Sequence, residues 1–249
     1  MKMKLSHFAA AAAVALVGSA ALAATIPNYI VKAVDNPNRP AADHARDTAR
    51  KPAEVLTFAG VRPGEDVLEL IPGGGYFTRM LSVAVGPKGH VTEAVPRMGG
   101  KDVSAKSNGV AGSANFPNVS EIPMTAAAIS KIAPVNLVWT SQNYHDLHLT
   151  RAHVDVVGLD RLIYSKLKPG GVFFIEDHAA KPGSGISTTD AMHRIDEDFV
   201  KREVESVGFK LAGESNVLRN PADNHTLSVF NPAIRGHTDQ FLLKFRKPA

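Results

Sequence analysis

Four polar side chains follow an apolar segment of the chain, residues 135–140. They are Asn143, Tyr144, His145 and Asp146. If the apolar segment is a buried strand, these side chains lie beyond its carboxyl end, where open parallel sheets bind their ligands. We therefore predict a binding or catalytic site here, with Tyr144, His145 and Asp146 as catalytic candidates.

A second set of titratable groups, Glu176, Asp177 and His178, ends another apolar segment, residues 172–176. By the same rule this set lies at the same edge of the sheet. Imidazole titrates near neutral pH, so His145 or His178 could be the general base for a substrate that must lose a proton. His178 is thus the fourth catalytic candidate, although a single histidine is commonly a hydrogen-bonded structural group.

The same mixture of imidazoles and carboxylates raises the question of a metal site. No spacing in the sequence is diagnostic of a metal, and we assign no metal ligand. In a metal-assisted enzyme the ligands would come from His145, Asp146, Asp177, His178 and His193. Two further acids, Asp196 and Asp198, follow a glycine-rich loop at residues 181–185 that could act as a lid.

Apolar runs and helical patterns alternate along the chain, which predicts an α/β domain with a parallel sheet and right-handed crossovers. Strands are predicted at residues 66–71, 90–95, 119–122, 135–140, 172–176, 209–214 and 241–246. Helices are predicted at residues 39–60, where Pro52 makes a break, and at 76–85, 125–132, 154–167 and 190–207. Residues 97–115, rich in Gly, Ser, Asn and Lys, predict a mobile loop.

The first predicted strand runs into the turn Pro72-Gly73-Gly74-Gly75 and then into a helix that starts at Tyr76. A ligand can pass close over such a turn, because glycine has no side chain and adopts left-handed dihedrals readily. Glu69, near the end of the strand, could accept a hydrogen bond from a ligand's ammonium group. The glycine spacing differs from the GxGxxG pattern of dinucleotide sites, which disfavours a nicotinamide cofactor.

Residues 67–78 (VLELIPGGGYFT) resemble the first motif of class I S-adenosylmethionine-dependent methyltransferases. Lys168-Pro169-Gly170-Gly171 resembles the turn before their fifth strand, and the resemblance as a whole covers residues 40–246. More narrowly, the chain is similar to a group of exported bacterial proteins described as predicted methyltransferases. The resemblance implies a Rossmann-like fold with a seven-stranded, mostly parallel sheet whose last strand is antiparallel, and S-adenosylmethionine as the cofactor.

The resemblance also assigns residues to the cofactor. The set that it implies is Glu69, Pro72, Gly73, Gly74, Gly75, Tyr76, Glu93 and Asn143. The sequence departs from the family at Ile71-Pro72, where many members carry a small residue and glycine. It also has no acid at the tip of the second strand; Glu93 is the nearest candidate for binding the ribose, but an alternating strand could aim it at solvent.

Two polar segments flank this core. In the resemblance the leading helix, with Arg46, Asp47 and Arg50, packs over the cofactor, while the alternative is an exposed ion pair of Asp47 with Arg50 or Lys51. The insert at residues 219–235 lies over the pocket if the sixth strand is parallel and the seventh antiparallel. Long connections of this kind are often functional, although a plain surface loop is the alternative.

Residues 1–23 have the pattern of a cleaved signal peptide, with Lys2 and Lys4, an alanine-rich apolar run, and Ala21-Leu22-Ala23 at the end. We therefore predict one methyltransferase-like domain, residues 24–249, that is periplasmic or secreted and has no membrane span after cleavage. The leader holds two of the 28 Lys and Arg residues and none of the 24 Asp and Glu residues, so its removal lowers the formal charge from +4 to +2. That charge is too small to indicate a nucleic-acid partner. The chain has no cysteine, which excludes disulfides and thiolate metal sites.

The function favoured by these observations is methyl transfer from S-adenosylmethionine to an unidentified small or envelope-associated acceptor. An exported enzyme of this kind needs a supply of a cofactor that is made in the cytosol. One alternative is therefore an exported binding protein, or an inactive enzyme, that reuses the fold. Another is a metal-assisted hydrolase or a metal-dependent O-methyltransferase. The acceptor and the oligomeric state are not predicted.

Overall fold

The computed structural model describes residues 25–98, 101–102 and 108–249, so the predicted signal peptide lies outside the described residues. The strands are β1 (Asp66–Leu70), β2 (His90–Val95), β3 (Arg97–Met98), β4 (Lys101–Asp102), β5 (Val119–Pro123), β6 (Val135–Ser141), β7 (Leu167–His178), β8 (Lys210–Ser215) and β9 (Gln240–Arg246). Seven of them form one sheet in the order β5-β2-β1-β6-β7-β9-β8, and β3 pairs with β4 separately. Only β9 runs antiparallel in the large sheet, which confirms the predicted fold class.

Ten helices accompany the strands in the described part of the chain. They are α1 (Asn28–Val34), α2 (Ala41–His44), α3 (Asp47–Arg50), α4 (Pro52–Ala59), α5 (Tyr76–Val85), α6 (Ala126–Ile129), α7 (Tyr144–Leu147), α8 (Val156–Lys166), α9 (Thr189–Met192) and α10 (Glu197–Ser206). Short 3₁₀ turns lie at Gly86–Lys88 and Thr150–Ala152. No helix among the described residues is both long and apolar enough to cross a bilayer.

The sheet is buried on both faces, as expected for parallel strands that read as continuous apolar runs. Successive residues of β1 point to opposite sides, so Val67 belongs to one apolar cluster and Leu68 to the other. On the first side Trp139 of β6 is fully buried and stacks on Phe174 of β7, with ring centroids 4.2 Å apart. This core fixes β1, β6 and β7 side by side, and their carboxyl ends carry most of the predicted site.

The segment around residues 190–207 is not the single helix that its pattern predicts. It divides into α9 and α10, because His193 adopts a left-handed conformation with φ 53° and Ile195 pairs with Ala179 in an isolated parallel bridge. The predicted helix before Pro52 is also divided, into α2 and α3. Both differences arise where tertiary contacts override a continuous helical pattern.

The segment at residues 97–115 also differs from the prediction. Its first part forms the β3–β4 pair, and Val110 is buried in the same apolar cluster as Trp139. Residues 103–107, the middle of the predicted mobile loop, lie outside the described residues. The described end at Val110 is therefore anchored in the core.

Candidate functional site

A cavity of about 410 Å³ lies at the carboxyl ends of β1, β6 and β7. Volumes of this order are typical of small-molecule sites. The residues predicted from sequence that line it are Glu69, Pro72, Gly73, Gly74, Tyr76, Asn143, His145, Asp146 and His178. Three other predicted residues, Gly75, Glu93 and Tyr144, do not line it. Most of the predicted site is thus brought together.

The glycine turn between β1 and α5 has the conformation that its composition predicts. Gly73 and Gly75 have φ values of 55° and 76°, and a Cβ atom placed on Gly74 would meet no atom within 4 Å. The turn is held from below by Arg79, whose guanidinium donates to the carbonyl oxygens of Gly74 at 2.8 Å and Gly75 at 2.9 Å. The same guanidinium pairs with Asp43 at 3.0 Å. Arg79 therefore holds the turn in place, while Gly74 itself borders open space.

Two carboxyl groups lie side by side under the turn, because Glu69 of β1 and Glu93 of β2 are in register. The Thr78 hydroxyl is 2.6 Å from Glu69 Oε2 and 2.9 Å from Glu93 Oε1. A hydroxyl has one proton to donate, so both contacts are hydrogen bonds only when one carboxyl is protonated. Burial, and then the neighbouring charge of Glu93, raise the pKa of Glu69 to about 8. Burial raises the pKa of Glu93 as well, so the two carboxyl groups share one proton, which we assign to Glu69.

Replacing Glu69 with glutamine is expected to alter how stability depends on pH. The ordinary glutamate pKa is 4.5 and the folded value is about 8, so between them the unfolded chain releases a proton that the folded chain keeps. The stability contributed by this group falls as pH rises through that window. The glutamine variant does not titrate at this position. As pH rises through the window, its free energy of unfolding should therefore increase relative to that of the native protein by up to about 1.4 kcal/mol per pH unit.

The measurement is denaturant unfolding at about pH 5 and about pH 8, the two ends of the window. Glu54→Gln is the matched control, because Glu54 is an exposed glutamate on α4. Equal pH dependence in the Glu69 variant and the native protein would contradict the assignment of the proton.

Glu93 does not have the position expected of a ribose-binding acid. It is fully buried rather than exposed, and its Oε1 accepts hydrogen bonds from Asn108 and Thr78. Its Oε2 is buried without a hydrogen-bond partner among the described residues. The alternation of β2 places this side chain under the turn instead of at the strand tip, so it is separated from the cavity.

Asn143 joins the ends of the two central strands. Its side-chain amide donates to the carbonyl oxygens of Ile71 at 3.0 Å and Ser141 at 2.6 Å. The next residue back, Gln142, has a left-handed φ of 60° and donates to the Gln240 side chain at 2.9 Å. Non-glycine residues rarely adopt this conformation, and those that do cluster at functional sites. These contacts fix the ends of β1 and β6 at the wall of the cavity.

His145 is held between a buried carboxylate and the cavity. Its Nδ1 lies 2.7 Å from Asp177 Oδ1, and Asp177 Oδ2 accepts from the His145 backbone N–H at 2.7 Å. Burial lowers the pKa of His145, but the charges of Asp177 and Asp146 outweigh it and raise that pKa to about 10. Asp177 is fully buried, and although burial raises its pKa, the His145 charge holds it below the ordinary value. The two carboxylates therefore favour the protonated form of His145.

His178, the other predicted base, lies nearby in a different state. Its Nδ1 is 2.8 Å from the Thr238 hydroxyl, and its ring centroid is 5.9 Å from that of His145. Burial, together with the positive charges of His145 and Arg194, lowers the pKa of His178 to about 3 despite the opposing charge of Asp177. This imidazole is neutral, and it faces the cavity without a charge.

Tyr144 is not part of the site, which corrects its assignment as catalytic. Its side chain is fully buried in the second apolar cluster, and its hydroxyl oxygen lies 2.8 Å from both Asp160 Oδ2 and Glu203 Oε1. The reason is the short helix α7, which turns successive side chains to different sides. Tyr144 faces the core, whereas His145 and Asp146 face the cavity.

The predicted lid and the acids beside it are structural. Asp196 caps α10, and its carboxylate also accepts from the backbone N–H groups of Gly183 and Gly185. Residues 181–185 line neither this cavity nor the larger one described next. Asp198 pairs with Lys201 on the surface of α10. Of this predicted group only His193 reaches the site.

A larger cavity of about 890 Å³ adjoins the first. The residues that line both are Arg46, Arg50, Gln142, His178, Val229 and Phe230. The insert at residues 219–235 supplies part of this wall, as predicted from the strand directions. The permanently charged residues of the lining are all basic: Arg46, Arg50, Lys51, Arg219 and Arg235. This compartment therefore favours an anionic occupant.

The leading helices lie over the cavities, but their ion pairs differ from the predicted ones. Asp47 pairs with Arg39, at 2.7 Å, and accepts from the Tyr76 hydroxyl at 2.6 Å. Burial raises the pKa of Asp47, but the hydrogen bonds from Arg39 and Tyr76 outweigh it and lower that pKa. Arg50 instead reaches Ser141 at 2.7 Å and lies over the Tyr76 ring. The prediction of an exposed ion pair between Asp47 and Arg50 or Lys51 is thus wrong.

Several site residues were missed by sequence reasoning. Arg79 supports the glycine turn, Arg151 lines the smaller cavity, and Asn108 binds Glu93. Arg79 lies one helical turn after Gly75, which is a usable signal for a side chain that folds back onto the turn. The other two come from irregular segments, where no periodicity indicates their direction.

Comparisons with known proteins place the fold. No family model matches the sequence, and no curated protein matches it. An S-adenosylmethionine-dependent methyltransferase from Aquifex aeolicus is similar in structure, with TM-score 0.54 and 17% identity over 81% of this chain and 97% of that one. An arsenic(III) S-adenosylmethionine methyltransferase from Chlamydomonas reinhardtii has TM-score 0.55 and 16% identity, over 90% and 74% of the two chains. An S-adenosylmethionine-dependent methyltransferase from Mesorhizobium loti has TM-score 0.51 and 15% identity, over 80% and 97%. The chain therefore has the Rossmann-like fold of S-adenosylmethionine-dependent methyltransferases.

Proposed function

We propose that the protein is an S-adenosylmethionine-dependent methyltransferase. The observation that carries the proposal is the glycine turn at the end of β1, where Gly74 faces open space beside the carboxyl group of Glu69. This turn lies at the carboxyl edge of the sheet, next to the central strands β1 and β6, where α/β folds bind their ligands. The structural neighbours that carry the same fold support the choice of cofactor.

The residues present fit this cofactor in one further respect, which is the carboxyl group of Glu69 on the wall of the smaller cavity. Glu69 accepts or donates a hydrogen bond according to its protonation, and a cationic ligand at this place would favour its charged form. When bound, S-adenosylmethionine supplies an electrophilic methyl group on a sulfonium.

Methyl transfer is an in-line displacement, so what the chain must provide is alignment and the exclusion of water. Asn143 fixes the relative positions of β1 and β6, and the Arg50 guanidinium lies over the ring of Tyr76, the first residue after the turn. The two adjoining cavities give separate compartments for a cofactor and an acceptor, with His178 on their shared wall. We assign the smaller cavity to the cofactor and the larger one to the acceptor.

Calorimetric titration with S-adenosylmethionine and S-adenosylhomocysteine tests the proposal directly. We expect saturable binding of one molecule per chain, with a dissociation constant in the micromolar range that is common for metabolites. A folded protein that binds neither compound would overturn the proposal and favour a binding protein that reuses the fold.

We further propose that the acceptor is a small anion. Lys51 and Arg235 line the larger cavity and have no carboxylate partner among the described residues, whereas Arg46 and Arg219 are paired with Asp43 and Glu197. A panel of anionic, neutral and cationic compounds of similar size, incubated with methyl-labelled S-adenosylmethionine, tests the charge preference. Label transfer confined to cationic compounds would contradict it.

Export is also a proposal, and it rests on the pattern of residues 1–23. We expect the mature protein to begin at residue 24 and to be periplasmic or secreted. Amino-terminal sequencing of the protein recovered from fractionated cells checks both points. An intact leader on protein that remains with the cytosol would contradict export.

A further inference from the structure

Three potential ligand atoms meet on one wall of the smaller cavity: His145 Nε2, His193 Nδ1 and Asp146 Oδ1. The two nitrogens are 3.1 Å apart, and they lie 3.3 Å and 3.2 Å from the carboxylate oxygen. A tetrahedral ion with bonds of about 2.0–2.1 Å holds its ligand atoms roughly 3.3–3.4 Å apart. The triangle therefore matches one face of such a tetrahedron to within about 0.3 Å.

The His145 ring is oriented by a second carboxylate, as metal-binding histidines usually are. Asp177, which is fully buried, lies 2.7 Å from Nδ1, on the side of the ring away from Nε2. A proton on Nδ1 leaves the Nε2 lone pair directed at His193 and Asp146. This arrangement of carboxylate, imidazole and metal position fixes the tautomer and raises the basicity of the ligand.

His193 is presented by an unusual piece of backbone. It follows α9 in a left-handed conformation with φ 53°, and the chain beyond it is held by the bridge between Ile195 and Ala179. Its ring packs edge-on against Phe230, with centroids 4.7 Å apart. A strained histidine held in this way is typical of a side chain that is placed for function.

We propose that His145, Asp146 and His193 bind a divalent transition-metal ion, with Asp177 as the residue that orients His145. Two imidazoles and one carboxylate suit Zn²⁺ and related first-row ions. Asp146 and His193 are partly exposed, so the ion keeps an open position toward the cavity. There it could act as a Lewis acid on an oxygen atom of a ligand bound in that cavity. This goes beyond methyl transfer and does not depend on it.

The competing arrangement has protons in place of the ion. A proton on His145 Nε2 can be shared with Asp146 and His193, and it satisfies the same three atoms. The two arrangements differ in whether the purified protein takes up metal, because ligand nitrogens must lose their protons when the ion binds.

The test is calorimetric titration of Zn²⁺ into the purified, tag-free protein after chelator treatment, followed by Co²⁺ as a spectroscopic probe. We expect one Zn²⁺ per chain, and visible absorption bands of Co²⁺ bound to nitrogen and oxygen ligands. Loss of an outer residue alone commonly lowers metal affinity by about 10- to 100-fold. Asp146→Ala and His193→Asn each remove one ligand atom and should each lower the affinity by at least about 100-fold.

His153→Asn is the matched control, because His153 is exposed and has a similar left-handed φ of 49° but lies outside the cluster. It should bind Zn²⁺ like the native protein. No uptake by a folded native protein, or unchanged uptake in both ligand variants, would overturn the proposal. Titration of the metal-free protein with S-adenosylhomocysteine is run separately, so failure of the cofactor proposal is distinguishable from failure of this one.

Discussion

Replacing Gly74 with leucine is expected to weaken S-adenosylhomocysteine binding by at least about 100-fold, which corresponds to roughly 2.7 kcal/mol, and to leave the fold intact. The reason is that a Cβ at Gly74 meets no atom within 4 Å, in a residue that lines the smaller cavity without a left-handed φ. The leucine side chain would occupy space that the proposed cofactor needs. Calorimetric titration measures the affinity, and thermal unfolding measures the stability.

Gly75→Ala provides the contrast for this prediction. A Cβ at Gly75 would lie 2.7 Å from Val110 Cγ2, and the residue has a φ of 76°. We expect this smaller substitution to destabilise the fold by about 1–3 kcal/mol, because a side chain at Gly75 is strained, whereas one at Gly74 enters open space. Unchanged affinity in a folded Gly74→Leu protein would remove the glycine turn from the cofactor site.

The elements that carry the site were predictable because their patterns are local. Helix α5 and strand β2 have the predicted bounds, and the GGG turn between β1 and α5 has the left-handed glycines that its sequence requires. The carboxyl-edge rule then brings Asn143, His145 and His178 into one cavity. The alternation of strands and helices along the chain was enough to place these three side chains at one edge of the sheet.

What could not be predicted is the direction of side chains in short or irregular segments. Tyr144 and His145 are neighbours in sequence, yet one faces the core and the other the cavity, because α7 is a single turn. The division at His193 depends on a bridge to Ala179 from another part of the chain. Glu93 was placed at the ribose, but it shares Thr78 with Glu69 beneath the turn. Each of these outcomes depends on a partner distant in sequence.

The structural role of Arg194 could not be predicted for the same reason. Its replacement with methionine is expected to destabilise the protein by about 3–5 kcal/mol. Its side chain is fully buried and pairs with Asp223 at 2.8 Å. It also donates to the carbonyl oxygens of Ala179 and Leu227, at 2.9 Å each. Methionine has similar length but no donor, so a buried carboxylate and two carbonyl groups lose their partner.

Denaturant unfolding of Arg194→Met tests this value, with Arg161→Met on the exposed side of α8 as the control, which should stay within about 0.5 kcal/mol of the native protein. A double-mutant cycle with Asp223→Ala should give a coupling of at least about 1 kcal/mol, and strictly additive effects would contradict a direct pair.

The Arg194 network also predicts an effect on ligand binding, because it is one of the contacts that hold the insert against the sheet. Asp223 and Leu227 belong to that insert, while Ala179 follows β7, so one guanidinium joins the two. Two residues beyond Leu227, Val229 and then Phe230 line both cavities. In the fraction of Arg194→Met that remains folded, S-adenosylhomocysteine affinity should therefore fall by about 10-fold, as a wall of the site loses its anchor. A folded variant with native affinity would show that the insert is held by other contacts and that its role in the site is passive.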